Sequence, residues 1–157
     1  VAGSKKKVPA DDFADDPDSR VTYVLWQAQR CSERILVEAL QPLGITLSQF
    51  GLLHHLRLEP GLTGAELARR LNVTPQSVSV AVAEAKKAGW LLSGAHVMHR
   101  NVVELAITKV GSDVLRKALA RVHEAEKRIT KTLTAAERNQ LLRLLLRLRK
   151  SARESAP

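Results

Sequence analysis

The sequence predicts a mainly helical fold carrying a single two-stranded β hairpin, on three observations. Leucine, valine and alanine recur at three- and four-residue spacings through most of the chain, which gathers apolar groups on one face of a helix. Thr63 with Glu66 and Thr134 with Glu137 have the spacing of a capping box, in which hydroxyl and carboxylate each satisfy an amide left free in a helix's first turn. Only after Gly89-Trp90 does the period fall to two, where Val103, Leu105 and Ile107 alternate with Val102, Glu104 and Ala106.

Composition narrows the classes. The 157 residues leave room for one domain, or one domain with dimerisation elements. Hydrophobic residues make up 45% and aromatics only 3%, so the core has to be leucine, valine and alanine. The net charge of +9 is unevenly spread: residues 1–18 hold three lysines and five aspartates, leaving 22 basic and 11 acidic groups, or +11, for the rest. Such a surplus favours a polyanionic partner through counterion release. Cys31 stands alone and fits a reducing compartment. Lys5-Lys6-Lys7 is not followed by an apolar stretch, and no run of about 18 apolar residues occurs. A cytoplasmic protein with no membrane partner is expected.

In order, residues 1–18 are polar and proline-containing and are expected to form a mobile arm. A first helix is predicted from Ser19 to Leu40, with Val21, Val24, Leu25, Ala28, Cys31, Ile35 and Ala39 as its apolar face. Pro42 and Gly44 punctuate the chain, and Ser48 is expected to cap a second helix holding Phe50, Leu52, Leu53, Leu56 and Leu58. Glu59-Pro60-Gly61 ends it. Leu91-Leu92 is the candidate partner of the 103–107 strand, with residues 93–101 as the hairpin tip. Thr108 caps a helix to about Lys131, and Thr134 opens a last helix bearing Leu141, Leu142, Leu144, Leu145, Leu146 and Leu148. Those leucines cover more of the helix than one neighbour can bury, which calls for a second copy of the chain. The expected division is an arm at 1–18, a dimerisation helix at 19–45, a central lobe at 46–108, dimerisation helices at 109–150 and a disordered tail at 151–157.

Within the lobe, Leu67, Ala68 and Leu71 supply the apolar face of a short capped helix, Asn72-Val73 makes a tight turn, and Thr74-Pro75 restarts helix with a hydroxyl cap and a proline at the first position. Val78, Ala81, Val82 and Ala85 form one narrow stripe, while Gln76, Ser79, Val80, Ala83 and Lys87 lie on or near the opposite face. A helix entering a major groove needs such a face of short and amide side chains, because base edges are read at close range. These are the parts of a helix-turn-helix followed by a β wing. Gln76, Ser77 and Ser79 are the candidate base readers, with Thr74 and Val80 beside them. Arg69, Arg70, Lys86, Lys87 and Arg100 are candidates to neutralise phosphates, with His99 next to Arg100 on the wing.

The series "TLSQFGLL", "PGLTGAELARRL" and "VTPQSVS", then "LAIT" before a long helix and a leucine-rich end, resembles the MarR family of winged helix-turn-helix transcriptional regulators over nearly all of residues 19–150. The resemblance implies a homodimer on a pseudo-palindromic double-stranded DNA operator, recognition helices in successive major grooves and wings in the flanking minor grooves. It also implies that many members repress and are released by small phenolic or other aromatic acids. Two positions depart from the family pattern. Val80 stands where an arginine commonly follows the "VS", and His99-Arg100-Asn101 replaces the Asp-x-Arg of the usual wing. The first moves base reading onto Gln76, Ser77 and Ser79, with Val80 against a thymine methyl; the second removes the acidic brace of the wing cation and makes His99 a source of pH dependence.

Trp26, Arg30 and His54 offer an aromatic wall, a cation and a hydrogen-bonding group for an aromatic carboxylate; Trp26 in the core and Arg30 on the surface is the competing reading. Trp90 is expected to plug the junction of recognition helix and wing. Cys31, mid-helix with Tyr23 the only tyrosine in the chain, is expected to be a buried structural cysteine, with a redox sensor as the alternative. The histidines (His54, His55, His96, His99, His123) lack zinc-site spacing. No nucleophile elbow, phosphate loop or triad spacing is present, so neither catalysis nor a cofactor is expected. The rival to a DNA-binding regulator is a winged-helix protein-interaction module, motivated by Val80 and the altered wing.

Overall fold

The computed structural model of the protein describes residues 16–95 and 103–155. A 3-10 turn at Pro17–Ser19 leads into α1, Val21–Leu40. A second such turn, Gln41–Leu43, and left-handed Gly44 (φ 63°) redirect the chain into α2, Leu47–Leu58. The cap of α2 is Thr46, not Ser48. Thr46 has the extended backbone a cap requires (φ −83°, ψ 162°), whereas Ser48 already lies inside the first turn. The Gln49 backbone amide donates to Thr46 Oγ1 (3.2 Å), and the Thr46 backbone amide donates to Gln49 Oε1 (2.9 Å). α3 (Gly64–Leu71), α4 (Pro75–Lys87), strands β1 (Leu91–Ala95) and β2 (Val103–Ile107), α5 (Lys109–Ile129) and α6 (Ala135–Glu154) follow.

β1 and β2 are antiparallel, with Leu91 opposite Ile107 and Ser93 opposite Leu105. A third extended piece, unseen in the sequence, joins them. The Gly61 amide donates to the Leu105 carbonyl, the Leu105 amide donates to the Leu62 carbonyl (both 3.3 Å), and Thr63 bridges Glu104. The wing is thereby laced to the entry of α3.

As expected, the core is aliphatic. Leu40, Leu52, Leu53, Leu56, Leu67, Leu91 and Leu115 are fully buried, joined by Val78, Ala85, Leu105 and Ala118. Trp90 packs against this cluster at the junction of α4 and β1. α5 runs antiparallel along α1, so that Leu115 and Ala118 sit under the lobe while Ala125 continues the seam. Gly111 makes the junction possible: a Cβ there would lie 2.2 Å from the Trp90 carbonyl oxygen.

Further expectations change: residues 93–95, expected in the hairpin tip, belong to β1, and two others fall elsewhere in the chain. The segment 151–157 is not all tail, because α6 continues to Glu154 and its final turn is closed by the Ser155 amide donating to the Ser151 carbonyl (3.1 Å). Cys31 is exposed, not buried. The side of α1 turned toward its neighbours carries Ser32, Ile35, Leu36, Ala39 and Leu40, and at 100° per residue Cys31 falls just beyond that arc.

Every one of the six leucines of α6 is open in the single chain, at 38% to 57% exposure. Val21, Val24 and Leu25 of α1 are open as well. Between them lies a cleft of about 1260 Å3 lined by Val24, Leu25, Ile129, Leu141, Leu145 and Leu148 among others. Among the described residues no single helix is long and apolar enough to cross a membrane.

Candidate nucleic-acid interface

The lobe that presents α4 is held by caps at each corner. At the start of α3 the Thr63 backbone amide and hydroxyl both donate to Glu66 Oε2 (2.8 Å each), and the Glu66 amide donates back to Thr63 Oγ1 (3.2 Å). The backbone and hydroxyl hydrogen bonds from Thr63 hold the Glu66 carboxyl below the usual carboxylate range, assisted by Arg69 and Arg70. Asn72 then takes the left-handed conformation (φ 55°), which asparagine tolerates. The Val73 amide closes the turn by donating to the Ala68 carbonyl (3.1 Å).

Thr74 caps α4, accepting from the Ser77 amide (3.2 Å), and Pro75 takes the first helical position. Val78, Ala81 and Ala85 are buried, and Val82 is half-buried. Gln76, Ser77, Ser79, Val80, Ala83 and Lys87 are exposed together on the outer side, Val80 at 59%. The hydroxyls are not all equivalent. Ser77 Oγ lies 2.9 Å from Thr74 Oγ1 and so shares in the cap. Ser79 donates its hydroxyl proton to the Pro75 carbonyl (3.0 Å), which leaves its lone pairs pointed outward as acceptors, suited to a base amino group. The Gln76 amide has no hydrogen-bond partner among the described residues and keeps both donor and acceptor available.

The candidate phosphate cations divide. Arg69 and Lys87 are exposed. Arg70 is ion-paired with Glu59 (2.7 Å), across the corner between α2 and α3. Lys86 donates from Nζ to Ser93 Oγ of β1 (2.8 Å) and so ties α4 to the wing. His96, His99, Arg100, Asn101 and Val102 lie outside the described residues. Of the candidate effector residues, Trp26 is 57% exposed beside Tyr23 (ring centroids 5.9 Å apart), and His54 packs on Phe50 (5.7 Å). Arg30 is exposed on α1. Each ring thus has its own neighbour, and the large clefts are lined by other residues. One of about 780 Å3, between the end of α1 and α5, is flanked by Glu38, Arg116, Lys117, Arg121, Glu124 and Arg128.

Two features of α2 were not foreseen. Gln49, 5% exposed, donates from Nε2 to Glu84 Oε2 of α4 (2.9 Å). His55, on the same helix, has its pKa lowered by burial first and then by Arg70 and His54, against Glu59. The capping-box spacing of Thr46 and Gln49 was visible in the sequence; the reach of Gln49 to Glu84, 35 residues on, was not.

Comparison with known proteins places this arrangement. Residues 43–97 match the MarR family model. The HTH-type transcriptional repressor Rv2887 of Mycobacterium tuberculosis (strain ATCC 25618 / H37Rv) is 32% identical over 131 residues, covering 83% of this chain and 94% of that protein. The chain belongs to the MarR family. As a MarR-family protein it is a winged-helix regulator and not an enzyme. Its fold agrees with the crystal structure of Rv2887 in complex with salicylic acid, with a TM-score of 0.71, 32% identity and coverage of 87% of this chain and 99% of that one. The structure of Rv2887 in complex with DNA gives a TM-score of 0.68 at 31% identity, covering 82% and 97%. The exposed helix α4 and the hairpin β1–β2 are therefore the family's winged helix-turn-helix, carried here with Val80 at the centre of its outer face.

Proposed function

We propose that this MarR-family regulator is a homodimeric, sequence-specific repressor that binds a pseudo-palindromic operator and is released by a small aromatic acid. The observation that carries the DNA reading is the split of α4, anchored through Val78, Ala81 and Ala85 while Gln76, Ser79, Val80 and Lys87 are left to solvent. Gln76 offers a bidentate amide to adenine, Ser79 an acceptor, and Val80 a methyl contact to thymine. Arg69, Lys87 and Arg100 contribute phosphate contacts that fix register. The bare leucines of α6 and the open half of α1 support a second copy, since about six large side chains left in water in one helix is the mark of an interface.

The effector reading is supported by the salicylic acid complex of Rv2887. A ligand that changes the spacing of the two copies of α4 prevents both from entering successive grooves. Trp26, Arg30 and His54 remain the candidate binding groups, with the partner copy supplying the missing wall.

Fluorescence anisotropy with a labelled duplex of the gene's own upstream intergenic DNA, against a scrambled duplex at about 0.15 M salt, tests the reading. Saturable binding that prefers the upstream duplex and weakens with salicylate is expected. Weak binding equal on both duplexes would leave a protein-interaction module in its place.

A further inference from the structure

We propose that Gln49 is a positioning residue for DNA recognition, holding α4 in its orientation and keeping the helix's one carboxylate turned toward the protein. The inference rests on α4 being the DNA-reading helix. It starts from a side chain that does two jobs. Gln49 Oε1 accepts from the Thr46 backbone amide (2.9 Å), completing the cap of α2. Its Nε2 donates to Glu84 Oε2 (2.9 Å) across to α4. Gln49 is the only polar residue among the buried ones described, so both ends of its amide are committed in a place where an unmet partner is costly.

The identity of the partner gives the contact its meaning. Glu84 is the sole acidic residue of α4, in a segment that otherwise reads PQSVSVAVA and AKK. At 100° per residue it lies on the flank next to Val80, one turn further along. A free carboxylate there would face the phosphates flanking a major groove and repel them. With Oε2 engaged by Gln49, that charge is drawn to the α2 side. The same bond fixes the rotation of α4 about its axis, because the buried stripe of Val78, Ala81 and Ala85 consists of small groups that resist rotation weakly. Large interlocking side chains would define the angle without help. Neutral amide and charged acceptor make the stronger kind of hydrogen bond, and the geometry requires one donor and one acceptor in that order.

That order suggests an exchange. In Gln49→Glu the two carboxylates oppose each other. In the double variant Gln49→Glu with Glu84→Gln, the carboxylate now at position 49 still accepts from the Thr46 amide. The amide now at position 84 supplies the donor, and the net charge is unchanged. Anisotropy with the upstream duplex, alongside thermal melts, is the assay. Gln49→Ala and Gln49→Glu are expected to weaken binding roughly tenfold, and the exchanged pair to return within about twofold of wild type. Hydrogen exchange gives a second readout: Glu84→Ala is expected to speed amide exchange along α4 and leave α5 unchanged. An exchanged pair as weak as Gln49→Glu alone, or unaltered α4 exchange in Glu84→Ala, would overturn the positioning role while wild-type binding stands. Wild-type protein that shows no sequence-dependent binding would overturn the role and the DNA reading together.

Discussion

Gly111→Ala is the substitution for which local propensity and packing predict opposite signs. Alanine is better than glycine inside a helix by about 1 kcal/mol, and Gly111 is the third residue of α5. By that rule alone the variant gains stability. The structure says otherwise. A Cβ at this position falls 2.2 Å from the Trp90 carbonyl oxygen and 3.0 Å from Ile107 Cγ1. Contacts with a real Cβ essentially never fall below 3.0 Å, so α5 or the Trp90 peptide has to move by about 0.8 Å. Neither moves freely. The Trp90 carbonyl accepts from the Thr108 amide (2.9 Å), the Trp90 amide donates to the Ala85 carbonyl (2.9 Å), and Thr108 Oγ1 donates to the Gly89 carbonyl (2.8 Å). Overpacking against fixed backbone costs about 3 kcal/mol, the upper part of the usual range. Less the propensity gain, a net loss of about 2 kcal/mol remains. For a chain of this length that lowers Tm by roughly 4–8 °C. Circular dichroism melts of wild type and variant measure it. A Tm equal to or above wild type would refute the close approach of α5 to the wing junction.

Other outcomes follow from the same contacts. Thr74→Ala removes the α4 cap and is expected to cost about 1 kcal/mol in urea unfolding, with Thr74→Ser close to wild type; equal losses in both would mean the methyl group matters and the hydroxyl does not. Glu66 has its carboxyl held low by Thr63, so it contributes stability above the ordinary carboxylate range that is lost as pH falls through its folded-state value. The stability gap between wild type and Glu66→Gln is therefore expected to shrink with acidification, read from unfolding curves at several pH values; a gap that widens would contradict the capping box. His55 has its pKa lowered from the ordinary imidazole value, by burial first and then by Arg70 and His54. Its contribution is present above about pH 6.5, the unfolded imidazole value, and is lost as pH falls. His55→Gln should flatten that part of the stability profile, and an unchanged profile would rule the residue out. Arg100→Ala is expected to weaken binding to every duplex and to lower the salt slope by about one, whereas Gln76→Ala relaxes sequence preference; an unchanged slope would remove the wing from the contact.

Local chemistry made most of the fold legible. Caps at Thr63, Thr74, Thr108 and Thr134 depend on residues at most three apart, and each stands where the spacing puts it. For α2, Thr46 and Gln49 carry the box spacing, but a serine beside the apolar run is the nearer signal, and the cap expected at Ser48 lies two residues off. Contacts between distant segments left no such trace. The pairing of residues 61–63 with β2, the Gln49–Glu84 bond and the Lys86–Ser93 tie each join different elements. Cys31 departs from expectation for a related reason: periodicity finds an apolar face, but which arc of it α5 and α2 cover is set by packing. The polar face of α4 was readable because its buried stripe is narrow and regular. That Ser77 and Ser79 already use part of their hydrogen-bonding capacity within the helix depends on side-chain rotamers, which residue spacing does not carry.

In the proposed function, two copies of α4 read one operator through successive major grooves. Methylation protection at guanine N7 on the upstream duplex tests it most directly, since N7 lies in the major groove. Two protected clusters separated by about one helical turn, roughly 10 base pairs, are expected, both lost with excess salicylate. A single cluster, or faint protection spread evenly along the duplex, would contradict it.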